Sequence, residues 1–380
     1  MADDFDPSER VRVRVDHDKE ARDLTIWTAC EISRGLDRGA SAFSVAVGRG
    51  KLKDAGIGAL PVAEFDAAQV LIGEDLVLTG WVDKVKRSRT AEAHGVSIQG
   101  RSVTADLIDC AAANSPGQWG GSTLLRIVQD LARGPGPGSD RRFNIPVVAD
   151  AAARAVVPNF ELEQGESVFD AIERAARFRG LIVHDGPTGA LHVVRPGLRR
   201  AEVTLRHRDG PDGEPDPDNN VLESEVTVDA SKRFSEVVVK GQKEGGLAKA
   251  GAKGSAADRG VPRFRPLIVA AEGQATDGDA VERARWEVAR RAGKALQMTH
   301  SVRGWRQTPG GALWDVDLVV PVEDDQAGVY RDMLVVDVKW ALDDKGRRSV
   351  LTLEPPEAWH PQPFVDTHTK WASVAAAVRG

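Results

Sequence analysis

Val11, Val13 and Val15 alternate with Arg12, Arg14 and Asp16. A period of two puts one set of side chains on each face of an extended chain, so these residues predict a strand buried on one side only. The rule covers most of the first hundred residues. Leu24 and Ile26 carry the pattern into a run ending at Ile32, and Phe43, Val45 and Val47 repeat it. Further runs go from Val70 through Trp81 and Val82, then from His94 to Ile98. Gly-, Asp- and Arg-rich breaks separate them at short intervals, the spacing of an antiparallel barrel or sandwich.

The pattern changes near residue 110. Ser122 can cap a helix whose apolar stripe is Leu124, Leu125, Val128 and Leu131, with Gly134 as its stop. The Gly/Pro stretch at 134–140 opposes both helix and strand. A second helix is expected from about Glu166 to Arg179, ended by Gly180, and the residues from Leu181 to Val194 read as a hairpin turning near Gly186–Gly189. Strands return at Val203–Leu205, Val221–Val228 and Phe234–Val239. Residues 243–260 hold almost no large apolar side chain, so burial cannot offset their ordering and a mobile loop is expected. Asp279 and Glu282 suggest a capping box for a helix over 279–294, and four strand-like runs between Leu296 and Leu353 follow.

The fold class this predicts is α+β, mainly β. Two small antiparallel barrel-like domains (1–108 and 201–360) flank an α/β module (109–200), with the helix at 279–294 inserted in the second barrel. Residues 361–380 form a tail.

Composition narrows the chemistry. The net charge of −6 gives no basic footprint for nucleic acid. Cys30 and Cys110 are the only cysteines, too few for a metal cluster or a disulfide framework. The acidic N-terminus lacks the apolar core of a signal peptide, and no run nears the roughly 18 apolar residues of a membrane span. Folding in a reducing cytoplasm is therefore expected. Eight scattered histidines show no paired ligand spacing. The acidic loop Asp209–Asn220 fails as an EF-hand, because Val221 and Thr227 stand where that loop needs Gly and Glu. Asp106 and Asp109 beside Arg101 read better as a turn with a structural ion contact than as paired catalytic carboxylates. Glu161, Glu163, Glu166 and Glu173, mixed with Arg174 and Arg177, read as a solvated face. The sequence offers no catalytic residue, cofactor site or metal site. Nine tryptophans against one tyrosine are candidates for core or interface anchors.

Three stretches carry a family resemblance. The segment Ile98–Trp119 contains Gly100, Arg101, Ser102, Asp106, Leu107, Asp109 and Cys110 in order. The second stretch is Phe160–Pro196. The third runs from Ala284 through Trp286, Gly304, Trp305 and Trp314 to Trp359. In this order they resemble the baseplate hub family of phage Mu and Mu-like prophages (the tail protein P/late control protein D family). The resemblance implies a non-enzymatic homotrimer at the centre of a contractile-tail baseplate, with two barrels per subunit forming a pseudo-sixfold ring. Its implied partners are the tail tube, a trimeric central spike, and wedge and tape-measure proteins, with DNA passing through the lumen unbound. A tail-borne cell-wall hydrolase, a glycan-binding virion module and a type VI hub-and-spike protein are the alternatives.

Overall fold

The computed structural model describes residues 9–48, 60–89, 94–114, 117–135, 142–177, 181–210, 212–242, 252–274 and 277–359. The alternating valines open the fold as β1 (Val11–His17), with Val11, Val13 and Val15 buried. Next come β2 (Glu20–Leu24), β3 (Ala29–Gly35) and β4 (Ala42–Gly48). The run expected from Val70 to Val82 is two strands, β5 (Ala67–Ile72) and β6 (Asp75–Arg89), folded at Gly73, where φ is +60°. β7 (His94–Ser102) pairs with both β4 and β6.

An α/β module follows. Its elements are α1 (Ala105–Asp109), β8 (Gln118–Thr123), α2 (Leu124–Arg133), β9 (Val147–Ala149), β10 (Val156–Glu161), α3 (Val168–Arg177), β11 (Ile182–Asp185) and β12 (Leu191–Val194). Thr123, not Ser122, caps α2: its hydroxyl accepts from Arg126 N at 3.2 Å. Ser167 caps α3 by accepting from Asp170 N. Leu124, Ile127, Val128 and Leu131 of α2 pack with Val168, Ile172, Ala175 and Ala176 of α3 in one buried core. Gly180 and most of the 134–140 stretch lie outside the described residues.

The remaining strands are β13 (Arg199–Arg200), β14 (Leu205–His207), β15 (Val221–Val228), β16 (Glu236–Gln242), β17 (Ala252–Ala257), β18 (Pro266–Gln274), β19 (Leu296–Arg303), β20 (Leu318–Asp324), β21 (Val329–Asp343) and β22 (Gly346–Glu354). The expected mobile loop at 243–260 is corrected in part. Ala252–Ala257 is a strand paired along β16 from Glu236 to Gly241, and small residues suit it because Gly254 lies against the backbone of Ala280 and Val281. Residues 243–251 lie outside the described residues. Helix α4 (Asp277–Lys294) begins two residues before the expected cap at Asp279. Its Ala280 and Ala284 pack on Val237 and Val239 of the three-stranded sheet β17-β16-β18.

The largest sheet overturns the two-barrel expectation. It has 14 strands, in the order β15-β19-β22-β21-β3-β4-β7-β6-β5-β1-β2, with β20 on β21 and both β13 and β14 on β20. Its path is open, ending at β15 and β2. The physical reason lies at β3: Ala29–Ser33 pair with β4 on one side, and Cys30–Gly35 with Asp337–Leu342 of β21 on the other. The edge that the first hundred residues would need to close on themselves is occupied by a strand from three hundred residues later. Strands from both expected barrels therefore belong to one sheet.

The chain divides into two units, one of residues 1–195, 301–318 and 335–351, the other of residues 196–300, 319–334 and 352–380. Among the described residues, no helix is long and apolar enough to cross a membrane.

Candidate functional site, a buried polar junction

The motif from Gly100 to Cys110 lies where β7 leaves the sheet and enters α1. Gly100 is required by packing, since a Cβ there would run into the Trp81 carbonyl and the Phe43 ring. Arg101 points to the accessible side and clamps two carboxylates, with Nε on Asp83 at 2.8 Å and Nη2 on Asp109 at 2.7 Å. These bonds hold the Asp109 carboxyl below its usual range. Burial, reinforced by the neighbouring Asp109 charge, pushes Asp106 up. Leu107 is fully buried in the module core, and Cys110 is exposed.

Ser102 points inward, to a polar cluster that the sequence did not single out. Arg34 on β3 is 2% exposed. Its guanidinium donates to Ser41 Oγ at 3.1 Å, to Asp315 Oδ1 at 2.8 Å and to the Val77 carbonyl. Ser41 bonds onward: its hydroxyl donates to Asp185 Oδ1 and its backbone N–H to Asp185 Oδ2, both at 3.0 Å. The same N–H lies 3.1 Å from Ser102 Oγ, and Ser102 shares a 2.7 Å hydroxyl contact with Thr104. Asp185 is 1% exposed, and the adjacent His184 ring bonds the Asp185 carbonyl at 2.9 Å. Burial drives the His184 pKa down to about 4. A buried cation and a buried anion are thus joined through one serine hydroxyl, the arrangement that makes buried charge tolerable.

The other unit holds a second buried carboxylate. Asp324 Oδ2 accepts from Ser224 Oγ at 2.6 Å and lies 3.2 Å from His300 Nε2, with His207 Nδ1 at 3.6 Å. Its other oxygen takes the N–H of Ala327 at 2.8 Å. Burial opposes ionisation of Asp324, but the bonds from His300, Ser224 and Ala327 outweigh it and hold its pKa well below the usual range.

The remaining motif residues are packing elements. Trp305, Trp314 and Trp340 are among the largest fully buried side chains, and Trp305 donates to the Ala341 carbonyl at 3.2 Å. Gly304 takes φ +74° at the turn before Trp305, a conformation that suits glycine. Trp286 lies under the guanidinium groups of Arg283 and Arg290. Of the tryptophans described, only Trp81 is more than a third exposed; Trp371 lies outside the described residues. The Glu161–Glu173 face is less solvated than expected, because Glu166 is largely buried against Arg174 at 2.6 Å. Among the described residues, no group of three His, Cys, Asp or Glu side chains could hold a metal ion.

Four known families match the chain in succession. Residues 11–102 match the N-terminal domain of the Mu phage baseplate assembly protein GpP-like family, and 104–195 the second domain of baseplate hub protein gp44-like. Residues 233–286 match the third domain of tail protein NMB1110-like, and 276–362 the fourth domain of GpP. Across 351 residues, 90% of this chain and 87% of the relative, the sequence is 31% identical to baseplate hub protein gp44 of Escherichia phage Mu. The chain belongs to the Mu baseplate hub family. It is a structural hub protein of a phage or phage-derived contractile tail, placed in the tail baseplate. The fold agrees with crystal structures of tail proteins. The 43 kDa tail protein of prophage MuSo2 from Shewanella oneidensis has TM-score 0.77 and 28% identity, covering 93% of this chain and 99% of that one. A tail protein from Neisseria meningitidis MC58 shares the fold at TM-score 0.75 and 23% identity, covering 93% and 98%.

Against these family segments, the junction acquires a meaning. Arg34 and Ser41 lie in the first segment, Asp185 in the second and Asp315 in the fourth. Sequence reading passed over them because no motif singles them out: Arg34 follows the run ending at Ile32, Asp185 stands in the hairpin over Leu181–Val194, and Asp315 in the strand-like run from Leu313.

Proposed function

We propose that this hub protein assembles as a homotrimer that joins the sixfold tail tube to the threefold central spike. Wedge and tape-measure proteins are its other neighbours, and DNA passes through the lumen without specific binding. The observation that carries this reading is the match to the Mu hub over 90% of the chain. Surface chemistry supports it. Phe65 and Phe264 are each 85% exposed, and Leu198 and Ile268 are 70% and 62% exposed, apolar area that a lone subunit leaves in water and that marks candidate contact surfaces. The net charge of −6 suits a conduit, since a basic wall would retain DNA through its phosphates. The trimer no longer rests on two like barrels per subunit, since the strands share one sheet.

Within that reading the module at 109–200 is a building block of its own. Gly100, Arg101, Ser102, Asp106, Asp109, Trp286, Gly304, Trp305 and Trp314 serve structure rather than contact with partners. The test is native mass measurement of the protein alone and co-expressed with its spike. Three times 40.8 kDa, about 122 kDa, and stable capture of the spike are expected. A monomer that ignores the spike would refute the reading.

A further inference from the structure

We infer that Arg34, Ser41, Asp185 and Asp315 form a latch that makes the N-terminal strands, the α/β module and the returning 301–318 segment open and close as one cooperative body. Three features of the cluster point this way. Its members come from three separate family segments within one unit, and two of its links, Arg34 to Asp315 and Ser41 to Asp185, cross a boundary that a looser protein would leave as a hinge. Arg34 and Asp185 are buried and Asp315 is partly buried, so separating the segments strips a partner from charges that water reaches poorly. Ser41 is the bridge: its hydroxyl accepts from Arg34 Nε and donates to Asp185 Oδ1 while its N–H donates to Asp185 Oδ2, so deleting the hydroxyl cuts the relay from the cation and leaves Asp185 only the backbone donor of Ser41.

The neighbouring packing agrees. Phe169 of α3 sits against Gly39, two residues before Ser41, and Gly189 of the β11–β12 turn sits against Val103. Apolar contact therefore surrounds the latch without replacing it, since neither contact neutralises a charge. For a protein that must transmit force between tube and spike, a boundary fastened by buried charge resists shear in a way that non-directional apolar packing does not.

The experiment is hydrogen exchange of the full chain, with calorimetry, on the native sequence and three variants. Ser41→Ala removes the bridge oxygen, Asp185→Asn removes the anion while keeping its shape, and Ile172→Val trims the module core without touching the latch. In the native protein, the slowest amides of α2 and α3 should share one opening event with those of β3, β4 and β7. Ser41→Ala and Asp185→Asn should separate them, raising exchange in α2 and α3 by about ten-fold or more while β4 and β7 change little, as expected for loss of a hydrogen bond to a charged group. Calorimetry should then show two transitions. Ile172→Val should instead shift one shared transition. If the latch variants behave like Ile172→Val, slowing or speeding all regions together, or if they change nothing, the latch is refuted. Because Ser41→Ala deletes a single atom, it remains informative even where Asp185→Asn fails to fold.

Discussion

Asp185 and Asp324 are both buried carboxylates, one in each unit, and they are stabilised by different means. Asp185 is reached through Ser41 by an arginine, a cation whose charge never varies in the physiological range. Asp324 is met by His300, His207 and Ser224, so two of its neighbours are imidazoles. The first carboxylate is balanced by a guanidinium relayed through a hydroxyl, the second by hydroxyl, imidazole and backbone donors that touch it directly. Equal burial is thus offset in two ways, by a relayed opposite charge or by direct hydrogen bonds to the carboxylate.

The largest expected effect comes from removing the permanent charge. Arg34→Met withdraws the guanidinium from Asp315, Ser41 and the Val77 carbonyl, and should cost about 3–5 kcal/mol in denaturant unfolding. A loss below about 1 kcal/mol would mean that water or rearrangement replaces the guanidinium. Next comes pH. His184 titrates near 4 in the fold against 6.5 in the open chain, because burial disfavours its charged form. Below pH 6.5 the unfolded chain takes up a proton that the folded chain refuses, so stability should fall between about pH 6.5 and 4, by up to about 3 kcal/mol. His184→Gln should flatten that slope, and an unchanged slope would locate the sensitivity elsewhere.

Asp324→Asn should cost about 2 kcal/mol at neutral pH, as expected for a buried hydrogen bond to a charged group. Asp324 has a folded pKa below its unfolded one, so its contribution is present above about pH 4 and is lost as pH falls through the folded value. The difference between native and variant proteins should therefore shrink in acid. If it grows, the carboxylate is not the stabilising form. The smallest effect belongs to the accessible clamp: Arg101→Met should cost about 1 kcal/mol or less, because Asp83 and Asp109 stay hydrated when it is lost.

Much of the local structure was legible in the sequence. The alternating valines became β1, the α2 and α3 stripes became buried faces, and the turn at Gly186–Gly189 joined β11 to β12. Partnership was not legible, for a physical reason. A period of two states which face of a strand is buried but carries no information about which edge meets which. Val338 and Ile32 give no sign that β21 lies beside β3, so two regions of similar pattern looked like two barrels. The junction was hidden in the same way. Arg34 and Asp185 stand 151 residues apart with nothing in the sequence to mark either as buried, and only the fold brings a serine between them. Family resemblance placed Ser102 in a motif without a reason for that residue; in the fold its hydroxyl lies 3.1 Å from Ser41 N.

Reconstruction of purified tails by electron microscopy, with this chain traced at the junction between tube and spike, tests the central claim most directly. The expected result is three copies around the tail axis, between a six-membered tube layer and the threefold spike. Six copies, a peripheral position, or a baseplate that assembles without the chain would contradict the account.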